Sequence, residues 1–470
     1  MTGPGATPSD GPEAVDLLVS GAVALPMDGS SRVLHDAAVA VANGTIRWVG
    51  TSKEARQRFA AARTIDAAGS YLVPGLVDTH FHTCQQLLRG KLVQLARRKR
   101  LKVPIWRNYL IPFEQALSEE DVHLSGLVAY ANSLHVGTTC FAEAGGPHPD
   151  HMARAAVDVG IRGIVALSTM DTGEGLPAGA RLTTKRALEE NLRLVKAWGA
   201  PAAGNRVGAW LALRQLMVCS PGLWEDAGRL AEEAGTRIHV HLAEGTYEVE
   251  YAAQEWGKRP AEHLHETGFL SPRVHAAHSI LLSDEEVAMY AADGVSVAHC
   301  PMGNFLIGAP KVPQMLSRGI PLGLGTDGGS TGSLDLFQAM RVSWVALQSR
   351  FGTPWHTRDV VSLDALFEMA TIGGARALGL ETAIGSLERG KRADLVLLSS
   401  GTWDQEPATD VPFAVARSAT GRDVHTVVID GAVVLEGGRL LTVDEEALRA
   451  RLAERLPAIM NRFESLIGGG

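Results

Sequence analysis

Apolar and polar positions follow two rhythms along this chain. Near the start, residues 16–20, 38–41 and 46–49 are short apolar runs punctuated by Asn43-Gly44 and Gly50. Short runs broken by Asn-Gly are hairpin chemistry, so the pattern predicts a small antiparallel sheet with one helix over 52–62. Residues 1–14, rich in Gly, Pro, Thr and Ser, predict a loose tail. From about Leu72 the beat becomes strand, then helix. Strands are predicted at 71–77, 138–142, 163–167, 207–212, 237–241, 275–278, 295–299 and 321–325, with helices at 119–134, 149–159, 184–198 and 284–292 among them. About eight strand–helix units over roughly 310 residues match the size and rhythm of a (β/α)8 barrel.

An open doubly wound sheet would carry a Gly-rich phosphate turn after its first strand. Here that strand ends in Asp78-Thr79-His80-Phe81-His82. After a predicted helix over 365–378, apolar runs return at 394–398, 424–429 and 432–435, with Asp430-Gly431 as a turn. The expected fold class is therefore α/β: a TIM-type barrel over 71–384, flanked by a composite β-sandwich domain built from residues 1–70 and 385–470.

Composition narrows the function classes. The chain has 470 residues, 46% hydrophobic and 20% charged, which excludes wholesale disorder. A formal charge of −8 gives no overall attraction to polyanions, so no nucleic-acid partner is expected. Cys84, Cys140, Cys219 and Cys300 form no Cys-x-x-Cys pair, which fits a reducing compartment. No run of 18 apolar residues occurs, and residues 1–13 lack the basic and apolar regions of a signal peptide. A cytoplasmic protein without a membrane partner is expected.

The chemistry-bearing residues fall at predicted strand ends. His80 and His82 flank Phe81, so strand alternation puts both imidazoles on one face, able to chelate a divalent ion. His241 ends the fifth strand as a candidate third ligand. Glu244 lies three residues further on, where a carboxylate can shuttle a proton between water and substrate. His239 points the same way one layer deeper and reads as a packed core histidine. His278, at the end of the sixth strand, suits ligation or hydrogen bonding to a metal-activated water, whereas His275 reads as structural. Asp327, past the eighth strand, can be a weak ligand and can accept a proton. Histidines and an aspartate at the ends of strands one, five, six and eight predict a metal site at the catalytic rim.

These segments resemble the amidohydrolase superfamily, and within it the branch of cytosine deaminases, chlorohydrolases and S-adenosylhomocysteine deaminases. The resemblance runs from Leu72-Val73-Pro74-Gly75 through His80-Phe81-His82, Leu87-Leu88-Arg89-Gly90, Gly137-Thr138-Thr139 and His241-Leu242-Ala243-Glu244. It continues through Val297-Ala298-His299-Cys300-Pro301 with Asn304, then Gly325-Thr326-Asp327, and closes on the segment from Gly385 to Val396. It implies that His80, His82, His241 and Asp327 hold metal, and that Glu244 and His278 are the acid/base and the orienting histidine, with Asp327 also catalytic. Two-metal relatives bridge their ions with a lysine at the end of strand four. This chain has Leu213-Arg214-Gln215 there, so one divalent ion is expected, zinc first and iron(II) as the alternative.

Substrate-facing residues are expected at Arg214, Gln85 and Asn304. Arg214 stands where adenosine-type relatives have histidine. Guanine deaminases resemble this segment more closely, and a guanidinium fork suits a carbonyl or carboxylate. The basic run Arg97-Arg98-Lys99-Arg100 reads as a solvated loop, with an acidic substrate as the competing use. Trp106, Phe113 and Trp224 read as core packing rather than a pocket. The resulting expectation is a metal-dependent aminohydrolase acting on a small amino-substituted N-heterocycle (a purine, pterin, pyrimidine or triazine), assembled as a homodimer or homotetramer. The same machinery expelling chloride, an alkylamine or the amine of an opened ring is the alternative. An inactive scaffold should have lost ligands, and none is missing here.

Overall fold

The computed structural model describes residues 11–177, 179–199 and 205–468. Most of the expected tail, residues 1–10, lies outside them, and a strand already begins at Glu13.

Eight parallel strands follow one another in chain order: Leu76–Phe81, Thr138–Glu143, Arg162–Val165, Val207–Ala209 continued by Leu211–Leu213, Ile238–Leu242, Val274–His278, Ser296–His299 and Leu322–Leu324. The fourth strand changes partners at Trp210. The Trp210 N–H donates to Val165 O at 3.1 Å, and the Leu211 N–H donates to Arg237 O at 3.1 Å on the other side. Among the described residues no ladder pairs the eighth strand with the first. Instead Thr79 Oγ1 donates to Leu324 O at 2.9 Å, and the Asp327 N–H donates to His80 O at 3.0 Å. The second of these bonds brings two predicted site residues together.

Both chain ends build a nine-stranded sheet. Leu17, Val39, Leu72, Leu395 and Val428 share one buried apolar layer, so neither end completes this unit alone. The predicted first barrel strand proves to be two strands. Ser70–Pro74 pairs with Leu395–Ser399 in the terminal sheet, and Leu76–Phe81 enters the barrel. Gly75 joins them where a Cβ would lie 1.9 Å from Thr139 Oγ1. The predicted helix over 52–62 is shorter. It spans Ser52–Arg58 behind a Thr51/Glu54 capping box, and Phe59–Asp66 continues as a strand parallel to Glu13–Ala24. Pairing along that edge outweighs the helical propensity of its alanines.

Residues 385–470 are not all β. The chain ends in a helix, Glu445–Gly468, that buries Leu448, Ile459 and Phe463. It packs Phe463 edge-on against Phe113 at 5.4 Å, and its Arg455 and Arg462 bond the buried Asp121 of helix Glu119–His135. No helix among the described residues is long and apolar enough to cross a membrane.

A buried ion cluster joins barrel to sheet. Arg162 starts the third barrel strand. Its Nε donates to Asp394 Oδ2 at 2.8 Å, and its Nη2 donates to Asp430 Oδ1 at 2.6 Å. The side chains are 6%, 2% and 8% exposed, so solvent screens them little. Asp430 keeps Arg206 and Arg392 as further partners, whereas Asp394 has no other arginine among the described residues. Arg162→Leu therefore strands the Asp394 charge, and a loss of roughly 3–5 kcal/mol is expected in urea unfolding. Arg162→Leu/Asp394→Leu should recover part of it. A single variant as stable as the parent would show the cluster to be energetically idle.

Candidate metal centre and active site

The strands deliver their polar ends to one place. His80 is the penultimate residue of the first strand and His82 lies just beyond its end; His241 is on the fifth, His278 ends the sixth, and Asp327 follows the eighth. Turning each chain segment out of its strand takes unusual backbone. Ala243, His278 and Asp327 have φ of 53°, 67° and 63°, the left-handed region that L-residues seldom adopt. Such conformations persist where the surroundings fix them, and they cluster at functional sites.

The donor atoms converge. His241 Nε2 lies 3.2 Å from His82 Nε2; Asp327 Oδ1 lies 3.2 Å from His80 Nε2 and 3.5 Å from His82 Nε2. Two ligands about 2.1 Å from a tetrahedral ion stand about 3.4 Å apart, so these residues fit a bound divalent cation without rearrangement. One donor atom from each of His80, His82 and His241 lies within 4.8 Å of the others. Burial, reinforced by neighbouring histidines and Arg214, holds all three imidazoles well below the usual histidine range. Neutral rings keep their lone pairs, so the site favours a metal ion over protons.

His239 is buried, as expected for core packing, but it also has a partner. Its Nε2 sits 2.8 Å from His80 Nδ1. With His80 Nε2 turned toward the site, the His80 Nδ1–H donates and fixes the ring, the usual support of a ligating histidine. His275 is structural, bonded to Thr79 O and Ser296 Oγ at 2.9 Å each. Asp78 accepts from Thr326 N at 3.0 Å and from His80 N at 3.3 Å, so it braces the first and eighth strands; burial raises its carboxyl to about 7.

Glu244 lies two residues past the fifth strand. Its Oε2 accepts from Gln215 Nε2 and, at 3.2 Å, from Tyr247 Oη. Two donors on one oxygen leave Oε1 as the available atom. Its N–H donates to Glu248 Oε2 at 3.0 Å. The sequence did not single out Gln215, Tyr247 or Glu248 for this work.

The three expected substrate contacts are all buried and hydrogen-bonded within the protein. Asn304, fully buried, is bonded to His278 Nδ1 at 3.0 Å and so sits behind that histidine rather than at an open face. Arg214 is 2% exposed, and its Nη1 donates to both oxygens of Glu114 at 3.3 Å. Gln85 Nε2 donates to Glu114 Oε1 at 2.9 Å, and Ser330 Oγ donates to Gln85 Oε1 at 2.8 Å. Glu114, missed in the sequence, is the hub of this network. Arg97, Arg98, Lys99 and Arg100 are exposed. Phe113 and Trp224 are core residues, and Trp106 packs beside Tyr247 at 6.4 Å.

Comparison with known proteins gives the family and the fold. The sequence profile of the amidohydrolase family matches residues 71–434. A 5-methylthioadenosine/S-adenosylhomocysteine deaminase of Desulforudis audaxviator is 35% identical over 442 residues, covering 93% of this chain and 97% of that protein. A 5'-deoxyadenosine deaminase of Methanosarcina mazei is 31% identical over 457 residues, covering 95% and 99%. The crystal structure of an adenosine deaminase from Xanthomonas campestris, with bound zinc, superposes with a TM-score of 0.88 at 29% identity, covering 96% of this chain and all of that one.

Proposed function

The chain belongs to the amidohydrolase family, and from that premise we propose that it deaminates an amino-substituted nitrogen heterocycle at a single divalent metal ion. One observation carries this reading: three neutral imidazoles and a carboxylate converge at ligand spacing, with Glu244 just past the strand that bears His241. His80, His82, His241 and Asp327 would hold the ion. Zinc suits that donor set, and the Xanthomonas neighbour carries it. Strand four ends in Leu213-Arg214, with no lysine to bridge a second ion. When bound, the ion acts as a Lewis acid and brings the pKa of water toward neutrality.

The chain's own residues supply the rest. Glu244, fixed through Oε2, takes a proton from the attacking water with Oε1 and passes it to the ring nitrogen beside the amino carbon. Protonation there draws electrons from that carbon and opens it to attack. Asp327 and His278 hold the water against the ring, and Asn304 holds His278. Asp327 takes the remaining proton of the added hydroxyl and passes it to the amine, so the carbonyl forms as the carbon–nitrogen bond breaks and ammonia leaves.

Arg214 shapes the choice of substrate. Its charge is already met by Glu114, so its remaining N–H groups suit a neutral ring carbonyl better than a carboxylate. Relatives at this identity include deaminases named for 5-methylthioadenosine, S-adenosylhomocysteine and 5'-deoxyadenosine, and an arginine at this place suits an oxo-substituted ring as well. Arg214→Ala should weaken turnover of oxo-substituted rings by roughly 2 kcal/mol, the size of a lost charged hydrogen bond, and should leave substrates without that carbonyl little changed. Equal losses on both would make Arg214 structural.

The whole reading is tested by metal analysis followed by an ammonia-release screen of 5'-methylthioadenosine, guanine, pterin, cytosine and aminotriazines. Turnover with ammonia and about one ion per chain is expected. Product without ammonia would replace deamination by loss of chloride or an alkylamine.

A further inference from the structure

Cys300 lies one residue past the seventh strand, fully buried in a barrel layer with Ala277 and Ala298. Its sulfur lies 3.8 Å from Ala298 O and also faces the backbone N–H of His278. Cys300 and one ring nitrogen each of His80 and His278 lie within 4.8 Å of one another. In His278, Nδ1 faces Asn304, so Nε2 is free and meets no protein partner among the described residues, although the side chain is 3% exposed. In His80, Nδ1 faces His239, so Nε2, which also stands 3.2 Å from Asp327 Oδ1, is the nitrogen turned toward the site. Gly325 packs against both groups: a Cβ there would stand 3.0 Å from Cys300 Sγ and 2.8 Å from His80 Cβ, so only glycine lets this strand end lie beside them.

We propose that His80, His278 and Cys300 form a second cation position, selective for thiophilic ions such as cadmium, that is filled instead of the hydrolytic position. A thiolate with two imidazoles is a soft donor set, whereas the hydrolytic set has a carboxylate in place of sulfur. The two groups share His80, and one Nε2 lone pair holds one ion, so they exclude each other. Filling the position forms a sulfur–metal bond, releases the thiol proton to water and changes no oxidation state. It also occupies His278, so the cadmium-loaded protein is inactive. The inference rests on the hydrolytic set proposed above.

The test is a cadmium titration of the chelator-stripped full chain, read by the thiolate-to-cadmium charge-transfer absorbance and by counting bound ions. One ion per chain with that band is expected, and saturating zinc should slow its appearance without raising the count. The band should vanish in Cys300→Ser, with cadmium bound on the order of 100-fold more weakly, and should persist in His82→Ala. No band in the parent, two ions held together, or a band kept in Cys300→Ser would overturn the proposal. If Cys300→Ser does not fold, Cys300→Ala and the cadmium-NMR shift of the parent, which separates sulfur from nitrogen ligation, decide the matter. His82→Ala that still binds zinc tightly would instead overturn the hydrolytic set and leave the cadmium result standing.

Discussion

Glu244→Gln should keep its metal and lose turnover by roughly 10²–10⁴-fold, the usual worth of a placed acid/base. The amide matches the carboxylate in size, and its oxygen can still accept from Gln215 and Tyr247, so the local geometry should survive. What it cannot do is carry a proton from water to a ring nitrogen. Gln215 and Tyr247 hold the Glu244 carboxylate from outside the His80, His82 and His241 set, so the ion should stay. Asp327→Asn offers the contrast. Asp327 Oδ1 faces both His80 and His82, so that variant should lose turnover and loosen the ion together. Metal content and turnover measured side by side on the two variants separate the roles. A Glu244→Gln protein that arrives without metal, or turns over within a few-fold of the parent, would remove Glu244 from proton transfer.

The barrel was legible because each strand is a short apolar run, four of them closed by a site histidine or aspartate, and strand and helix patterns alternate along the chain. Helices Pro149–Val159 and Thr184–Trp198 match their predicted spans for the same reason. The donor histidines were legible too, since they sit at strand ends that a barrel must bring to one rim. Their support was not. Glu114 and Arg214 are 100 residues apart, and Ser330 and Gln85 are 245 apart; no local pattern pairs such residues. His239 has the burial expected of a core histidine, and only the 2.8 Å contact with His80 shows its second use. The split at Gly75 was hidden because apolar residues run through it, and register along a continuous apolar run is invisible without its partners. The terminal helix was readable in the spacing of Leu448, Leu452, Ile459 and Phe463, but an expected β-domain claimed that stretch.

Stripping the ion should reduce turnover to background, and zinc should restore it. Two Nε2 atoms facing each other at 3.2 Å, with a third imidazole and a carboxylate beside them, are arranged for a cation between them rather than for one another. An ion that binds only the folded chain also stabilises it, by about 4 kcal/mol at a free concentration 1,000-fold above its dissociation constant, so the stripped protein should melt lower. Two variants then grade the argument. His241→Ala removes a donor outright, and its product should purify without stoichiometric metal and without activity. His239→Ala removes only the anchor of the His80 ring, so metal affinity should fall by roughly 10–100-fold, with activity recovered in excess zinc. Circular dichroism of each variant separates an emptied site from a collapsed fold. A stripped protein that remains fully active would end the metal reading, and so would a His241→Ala protein that binds zinc as tightly as its parent. If His239→Ala matched the parent in affinity, His239 would return to being a packed core histidine and His80 would orient itself without it.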